Sequence, residues 1–208
     1  MQHHPKTLKV ITRVLSRFVI LLSILAVPAS GADFKQGLTA YAEGDYATAL
    51  LEWTPLAKGG SSDAQFLLGY MYDVGQGAPR DYTTALKWYQ LAARQENAMA
   101  QTSLGVMYYQ GKGVSQDYKA AVKWYRMAAQ QKHANAQFRL SLCYQTGHGV
   151  PEDKIFALMW AHLASANGHK SAFSLRDSLL GGDMTSDQLV SAQRLARECI
   201  SKNYRGCD

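Results

Sequence analysis

Three cysteines and six histidines are the side chains of this 208-residue chain best suited to nucleophilic, acid–base or metal-binding chemistry. Cys199 and Cys207 stand eight residues apart. In one continuous helix their Cα atoms would lie about 12 Å apart, beyond the roughly 7 Å reach of a disulfide. Asn203 and Gly206 can end a helix between them, so a bridge folding the tail back on the last helix is expected after export to an oxidising compartment. Cys143 falls in an expected helix and reads as a small buried hydrophobe, not a reactive thiol. His162 and His169 would share a helix face two turns apart if the helix continued, but Asn167-Gly168 should break it, so no metal site is expected. His162 is expected to border the core, and His133 and His148 to be isolated surface or turn residues. There is no Ser-x-x-Lys, Gly-x-Ser-x-Gly or phosphate-binding loop. No acid, base and nucleophile are brought together, so neither an enzyme nor a cofactor is expected.

The elements that position these residues follow from a fixed period, which changes how every residue is read. Ala64, Ala100, Ala136 and Ala172 lie 36 apart, as do Tyr72, Tyr108 and Tyr144. The same step links Gly75, Gly111 and Gly147; Gly77, Gly113 and Gly149; Asp81, Asp117 and Asp153; Ala85, Ala121 and Ala157; and Trp88, Trp124 and Trp160. Upstream, Asp45 to Leu50 falls in step with Asp81 to Leu86, while Trp53 is one residue out of register with Trp88 and Glu43-Gly44 replaces the Gly-x-Gly turn. That first unit reads as a diverged N-terminal cap.

Each unit parses into two helices. The first runs from about Asp63 to Tyr72, with Ala64, Leu68, Met71 and Tyr72 on one face, and Gly75 ends it in the left-handed conformation. Asp81 opens the second as an N-cap, with Ala85, Trp88, Leu91 and Ala92 expected as the buried stripe. Gly69 and Gly105 sit inside helices, where glycine costs about 1 kcal/mol against alanine, so another helix must approach closely there. Ser141 fills that slot in the third unit. A lone hairpin of this size cannot bury its apolar face, and stacking neighbours completes the core.

The two ends differ from the array. Residues 1–32 read as a secretory signal peptide: a basic segment ending at Arg17, an apolar run from Phe18 to Val27, then Pro28 and small residues. Cleavage is expected after Ala32, with Ala29 as a second site and retention as an anchor as the alternative. The apolar run is shorter than the roughly 18 to 20 residues that cross a bilayer, so no stable span is expected after cleavage. Four of the 22 bases and none of the 16 acids lie in this segment, leaving a nearly balanced remainder that removes the support for a nucleic-acid partner. At the other end, Met184 to Asp187 reads as a turn into a helix with Leu189, Ala192, Leu195, Ala196 and Cys199 on its apolar face. It is expected to lid the array.

The recurring residues resemble the Sel1-like repeat, a relative of the tetratricopeptide repeat. The match is carried by Ala64 to Gly69, Tyr72, Gly75-Gln76-Gly77, Asp81, Ala85, Trp88-Tyr89 and Ala92-Ala93. It recurs in Ala100 to Gly105, Tyr108, Gly111 to Val114, Asp117, Ala121, Trp124-Tyr125 and Ala128-Ala129. The third copy keeps Ala136, Tyr144, Gly147 to Val150, Asp153, Ala157 and Trp160 and departs at Ser141 and Ala161. The resemblance spans residues 34–172 and implies an all-α, α/α superhelical solenoid of tandem hairpins with a C-terminal capping helix. The expected order is a signal peptide over 1–32, a diverged repeat over 33–63, repeats over 64–99, 100–135 and 136–171, and the capping helix and tail over 173–208.

The resemblance also implies an adaptor that holds a protein or peptide partner, in the periplasm or after secretion. In such a solenoid the first helices line the concave face. Opposite their buried stripe lie Phe66, Tyr70 and Asp73, then Thr102, Val106 and Tyr109, then Phe138, Leu142 and Gln145, with apolar residues recurring where a solvated face would be polar. This row is either a partner-binding groove or packing against the next unit. Two alternatives remain: a cell-wall-active protein, either a weak β-lactam-binding enzyme or a peptidoglycan-binding component, and a structural subunit of an envelope complex. Cysteine-rich relatives that bind β-lactams carry a cysteine pair in each repeat, which this chain lacks.

Overall fold

The computed structural model of the protein describes residues 31–207. The signal-peptide reading therefore lies outside the described residues but for its last two positions. Among the described residues there are ten helices and no strand: α1 (Phe34–Glu43), α2 (Tyr46–Lys58), α3 (Ser62–Val74), α4 (Tyr82–Arg94), α5 (Ala98–Gln110), α6 (Tyr118–Ala129), α7 (Ala134–Thr146), α8 (Lys154–Ala166), α9 (Lys170–Leu180) and α10 (Ser186–Ser201). The first eight form four hairpins, and each helix packs on its neighbours in sequence. Helix α9 is the first half of a further unit whose second half never forms. Helix α10 instead turns back on α8, as the capping role requires.

Short polar residues at recurring positions set the helix boundaries. Asp45, Asp81, Asp117 and Asp153 each N-cap a second helix, their carboxylates accepting from backbone N–H groups two or three residues on, as Asp81 does from Thr83 and Thr84. Gly75, Gly111 and Gly147 close the first helices in the left-handed region. The second glycine of each turn has a separate role. A Cβ on Gly113 would stand 2.7 Å from the carbonyl oxygen of Tyr82, the first residue of the preceding second helix, so this glycine seats one unit on the last.

The core departs from the expected stripe by one residue. Ala85, Tyr89, Ala92 and Ala93 are buried in α4, while Trp88 is half-buried and Leu91 is 42% exposed. The reason is the small residue on the first helix: the rings of Tyr89 and Tyr125 fill the space left by Gly69 and Gly105. Trp53 belongs to the same set. It lies 36 residues before Tyr89, is fully buried, and packs on Gly37 with its indole N–H donating to the Phe34 carbonyl at 3.2 Å. It is thus in register with the tyrosines and not with Trp88.

Candidate protein-interaction surface

Gln65, Gln101 and Gln137 recur at the period of the array and are buried at 4%, 1% and 0% exposure. Each sits on a first helix and donates its side-chain amide to a carbonyl at the end of the preceding second helix: Ala57 at 3.0 Å, Ala93 at 3.2 Å and Ala129 at 3.2 Å. Each also accepts from an amide just beyond its own unit's second helix, Gln95 and Gln131 at 2.8 Å and Asn167 at 2.9 Å. One side chain therefore ties three successive segments. Each of these carbonyls also accepts from a backbone N–H three residues on, of Gly60, Glu96 and Lys132, so the glutamine fills its second acceptor site, and a bond of this kind contributes about 0.5 to 1.5 kcal/mol at each junction. The sequence pattern contains this ladder as a glutamine after each Ala64-type alanine, but a glutamine reads as a surface residue unless its recurrence is weighed.

The row opposite the buried stripe is placed unevenly. Tyr70 is exposed at 38%, while Phe66, Asp73, Val106, Tyr109, Phe138, Leu142 and Gln145 are partly exposed and Thr102 is buried. Much of the row also meets the second helix of its own unit or the next unit. Phe66 packs on the Tyr89 ring at 5.9 Å, and the Tyr89 hydroxyl donates to Asp73 at 3.3 Å. Thr102 Oγ1 donates to the Ala98 carbonyl at 2.7 Å and stands 2.9 Å from His133 Nδ1. The Tyr109 hydroxyl lies 2.7 Å from His148 Nδ1, and His148 stacks on Tyr118 at 4.5 Å. Phe138 stacks on His169 at 4.2 Å. Both readings of the row hold in part: its aromatics brace the next unit and keep some surface.

The histidines are less isolated than expected. His133 and His169 occupy the N-cap positions that Ser61 and Asn97 fill in earlier units, and neither makes a side-chain cap bond. Their rings turn back instead onto Thr102 and Phe138, the row residues of the preceding unit. Burial pushes the His133 imidazole below its ordinary value, and the neighbouring His169 adds to this. His162 is exposed on one side and on the other lines a cleft with the buried Leu158 and Ala192, at the edge of the core. His162 and His169 are separated by the end of α8 at Ala166, as the helix break predicts, and among the described residues no group of three or more metal-binding side chains stands together. Burial also raises the Cys143 thiol to about 11, the state of an inert core cysteine.

The C-terminal end is closed by a covalent loop. Cys199, at the end of α10, is disulfide-bonded to Cys207. Between them Asn203 and Tyr204 take left-handed backbone, which ends α10 and turns Tyr204 inward to 7% exposure. Its hydroxyl accepts from Asn167 at 3.3 Å, and Lys132 Nζ lies 5.4 Å over its ring. Asn167 is the last amide of the ladder. In α9 the ladder's glutamine slot holds Phe173, 45% exposed, so the ladder stops at Asn167, whose amide also donates to Tyr204.

Among the described residues no helix is long and apolar enough to cross a membrane. No functionally curated protein matches the chain. The crystal structure of a Sel1 repeat protein from Oxalobacter formigenes is similar to it, with a TM-score of 0.70 at 32% identity over 78% of this chain and 67% of that one. A protective antigen present in uropathogenic Escherichia coli strains, displaying an SLR fold, is similar with a TM-score of 0.58 at 26% identity over 84% of this chain. This chain spans 46% of that antigen's length. Residues 62–97, 98–133 and 134–169 each match the Sel1 repeat, three consecutive units in phase with the hairpins α3/α4, α5/α6 and α7/α8. The chain belongs to the Sel1 repeat family, whose members generally mediate protein–protein interactions.

Proposed function

We propose that this chain is an exported adaptor that holds a protein partner along its first helices, with Tyr70 and Phe138 among the contacts. The observation that carries this reading is the division of labour among the recurring residues. Alanines, ring–glycine pairs, aspartate caps and the glutamine ladder account for stacking, while eight of the nine row residues stay at least partly accessible. Exposed aromatic edges on a rigid frame suit peptide or protein capture. The disulfide supports export, because such bonds persist in oxidising compartments such as the periplasm.

In-cell crosslinking of the wild-type chain, affinity purification and mass spectrometry test this reading, with the Tyr70→Ala/Phe138→Ala double variant beside it. A protein recovered with wild type and absent with a variant of unchanged helicity supports it. Capture that survives the double change removes the row from the interface. Recovery of peptidoglycan fragments alone replaces the adaptor with a cell-wall-binding protein.

A further inference from the structure

Helices α9 and α10 both pack on α8 and leave a cleft between them of about 230 Å³. Leu158 and His162, one turn apart on α8, form its floor; Arg176 and Leu180, one turn apart on α9, form one wall; Ala192 and Gln193 of α10 form the other. We propose that this cleft receives the free C-terminus of a partner chain that ends in an aliphatic residue. The proposal rests on the adaptor reading and adds to it a site and a chemistry.

Size and charge both point to that occupant. Pockets for drug-sized ligands run from about 300 to 1,000 Å³, so this cleft holds about one residue. Leu158, Ala192 and Leu180 supply an apolar bed, and Leu180 is 42% exposed without an occupant. The polar lining consists of a guanidinium, an imidazole and an amide, each able to donate, and includes no acid. A carboxylate beside an aliphatic side chain complements that set, and the planar guanidinium fork favours carboxylates in particular. Asp177 already takes Arg176 Nε and Nη2 at 2.9 and 2.7 Å. That carboxylate is exposed and holds one edge of the guanidinium, which fixes the side chain and leaves Nη1 for a second anion.

The test titrates the full chain with N-acetyl-Gly-Gly-Leu as the free acid and as its carboxamide, followed by NMR and calorimetry. The acid is expected to bind saturably at up to roughly millimolar concentration, with shifts at Leu158, His162 and Leu180, and the amide about tenfold more weakly. Arg176→Gln should bring the acid down to the level of the amide, and Leu180→Ser should weaken both. Equal binding of acid and amide, no saturable binding, or binding of isovalerate as tight as that of the peptide overturns the proposal. In the crosslinking experiment, a partner still captured by Arg176→Gln at the wild-type level counts against this site and leaves the adaptor reading standing. Loss of capture with Arg176→Gln supports the site.

Discussion

The buried ring of Tyr125 lies against Gly105 in the space that a Cβ on that residue would need. Tyr89 does the same to Gly69, where an added Cβ would stand 2.6 Å from the ring. The third unit reverses the pair: Ser141 stands in the glycine slot, Ala161 in the tyrosine slot, and the Ser141 hydroxyl donates to the Ala157 carbonyl at 2.6 Å. The first helix carries a side chain there only where the second gives up its ring.

Gly105→Ala is therefore expected to destabilise by overpacking, about 1 to 3 kcal/mol, less the roughly 1 kcal/mol that alanine gains over glycine inside a helix. In a Tyr125→Ala background the same change should stabilise, because only the helical preference remains. Urea unfolding of the four proteins of this cycle measures the coupling. An alanine effect of equal sign and size in both backgrounds would show that the ring does not dictate the glycine.

The glutamine ladder gives a second expectation. Gln101→Ala removes the second donor of the Ala93 carbonyl, which keeps the Glu96 N–H, and the acceptor of the Gln131 amide, and leaves a void at a position only 1% exposed. Two lost bonds at about 0.5 to 1.5 kcal/mol each amount to about 1 to 3 kcal/mol. Gln131→Ala removes the outer bond and a longer one to the Met127 carbonyl from an exposed residue, where water can replace them, and should cost less than about 1 kcal/mol. Equal losses for the two variants would mean that the inner bond to Ala93 adds nothing.

Much of the fold was legible because the period marks residues that act alone: aspartate caps, terminating glycines and core alanines need only backbone geometry to be understood. Pair relationships were harder. Tyr89 and Trp53 are recognisable as one set only when the glycine each faces is known, and that partner lies on another helix. Helix α9 was signalled by Ala172 at the expected step, yet its short array-ending sequence lacks the Gly-x-Gly turn that marked the others. The row of Phe66, Thr102 and Phe138 was found by helical phase, which places a residue on a face but does not say that His133 or His169 will fold back onto it.

Reduction of Cys199–Cys207 offers a local perturbation. Closing so short a loop contributes about 2 to 3 kcal/mol in the chain-entropy account. In a stacked array each unit contacts only its neighbours, so the loss should stay near its origin. Hydrogen exchange after reduction is expected to accelerate in α10 and around Asn167 and Tyr204, with α3 and α4 unchanged. Uniform acceleration across the chain would instead mean that the array unfolds as one unit.

His133 makes acid a second local perturbation. Thr102 spends its single hydroxyl proton on the Ala98 carbonyl, so His133 Nδ1 must carry the proton it shares with Thr102. Neutral and charged imidazole both donate there, and the bond does not oppose protonation; burial does, with His169 adding to it. The folded value thus lies below the ordinary value of 6.5, and the folded state binds fewer protons than the unfolded one. Stability from this group is complete above that ordinary value and is lost as pH falls through the depressed folded value. His133→Asn removes the titrating group and restores the kind of cap that Asn97 makes with the Ala100 N–H at 3.0 Å. The variant is expected to lose less stability between neutral and mildly acidic pH than wild type, measured by urea unfolding across that range. An NMR titration that finds His133 at or above its ordinary value would remove the basis for the difference.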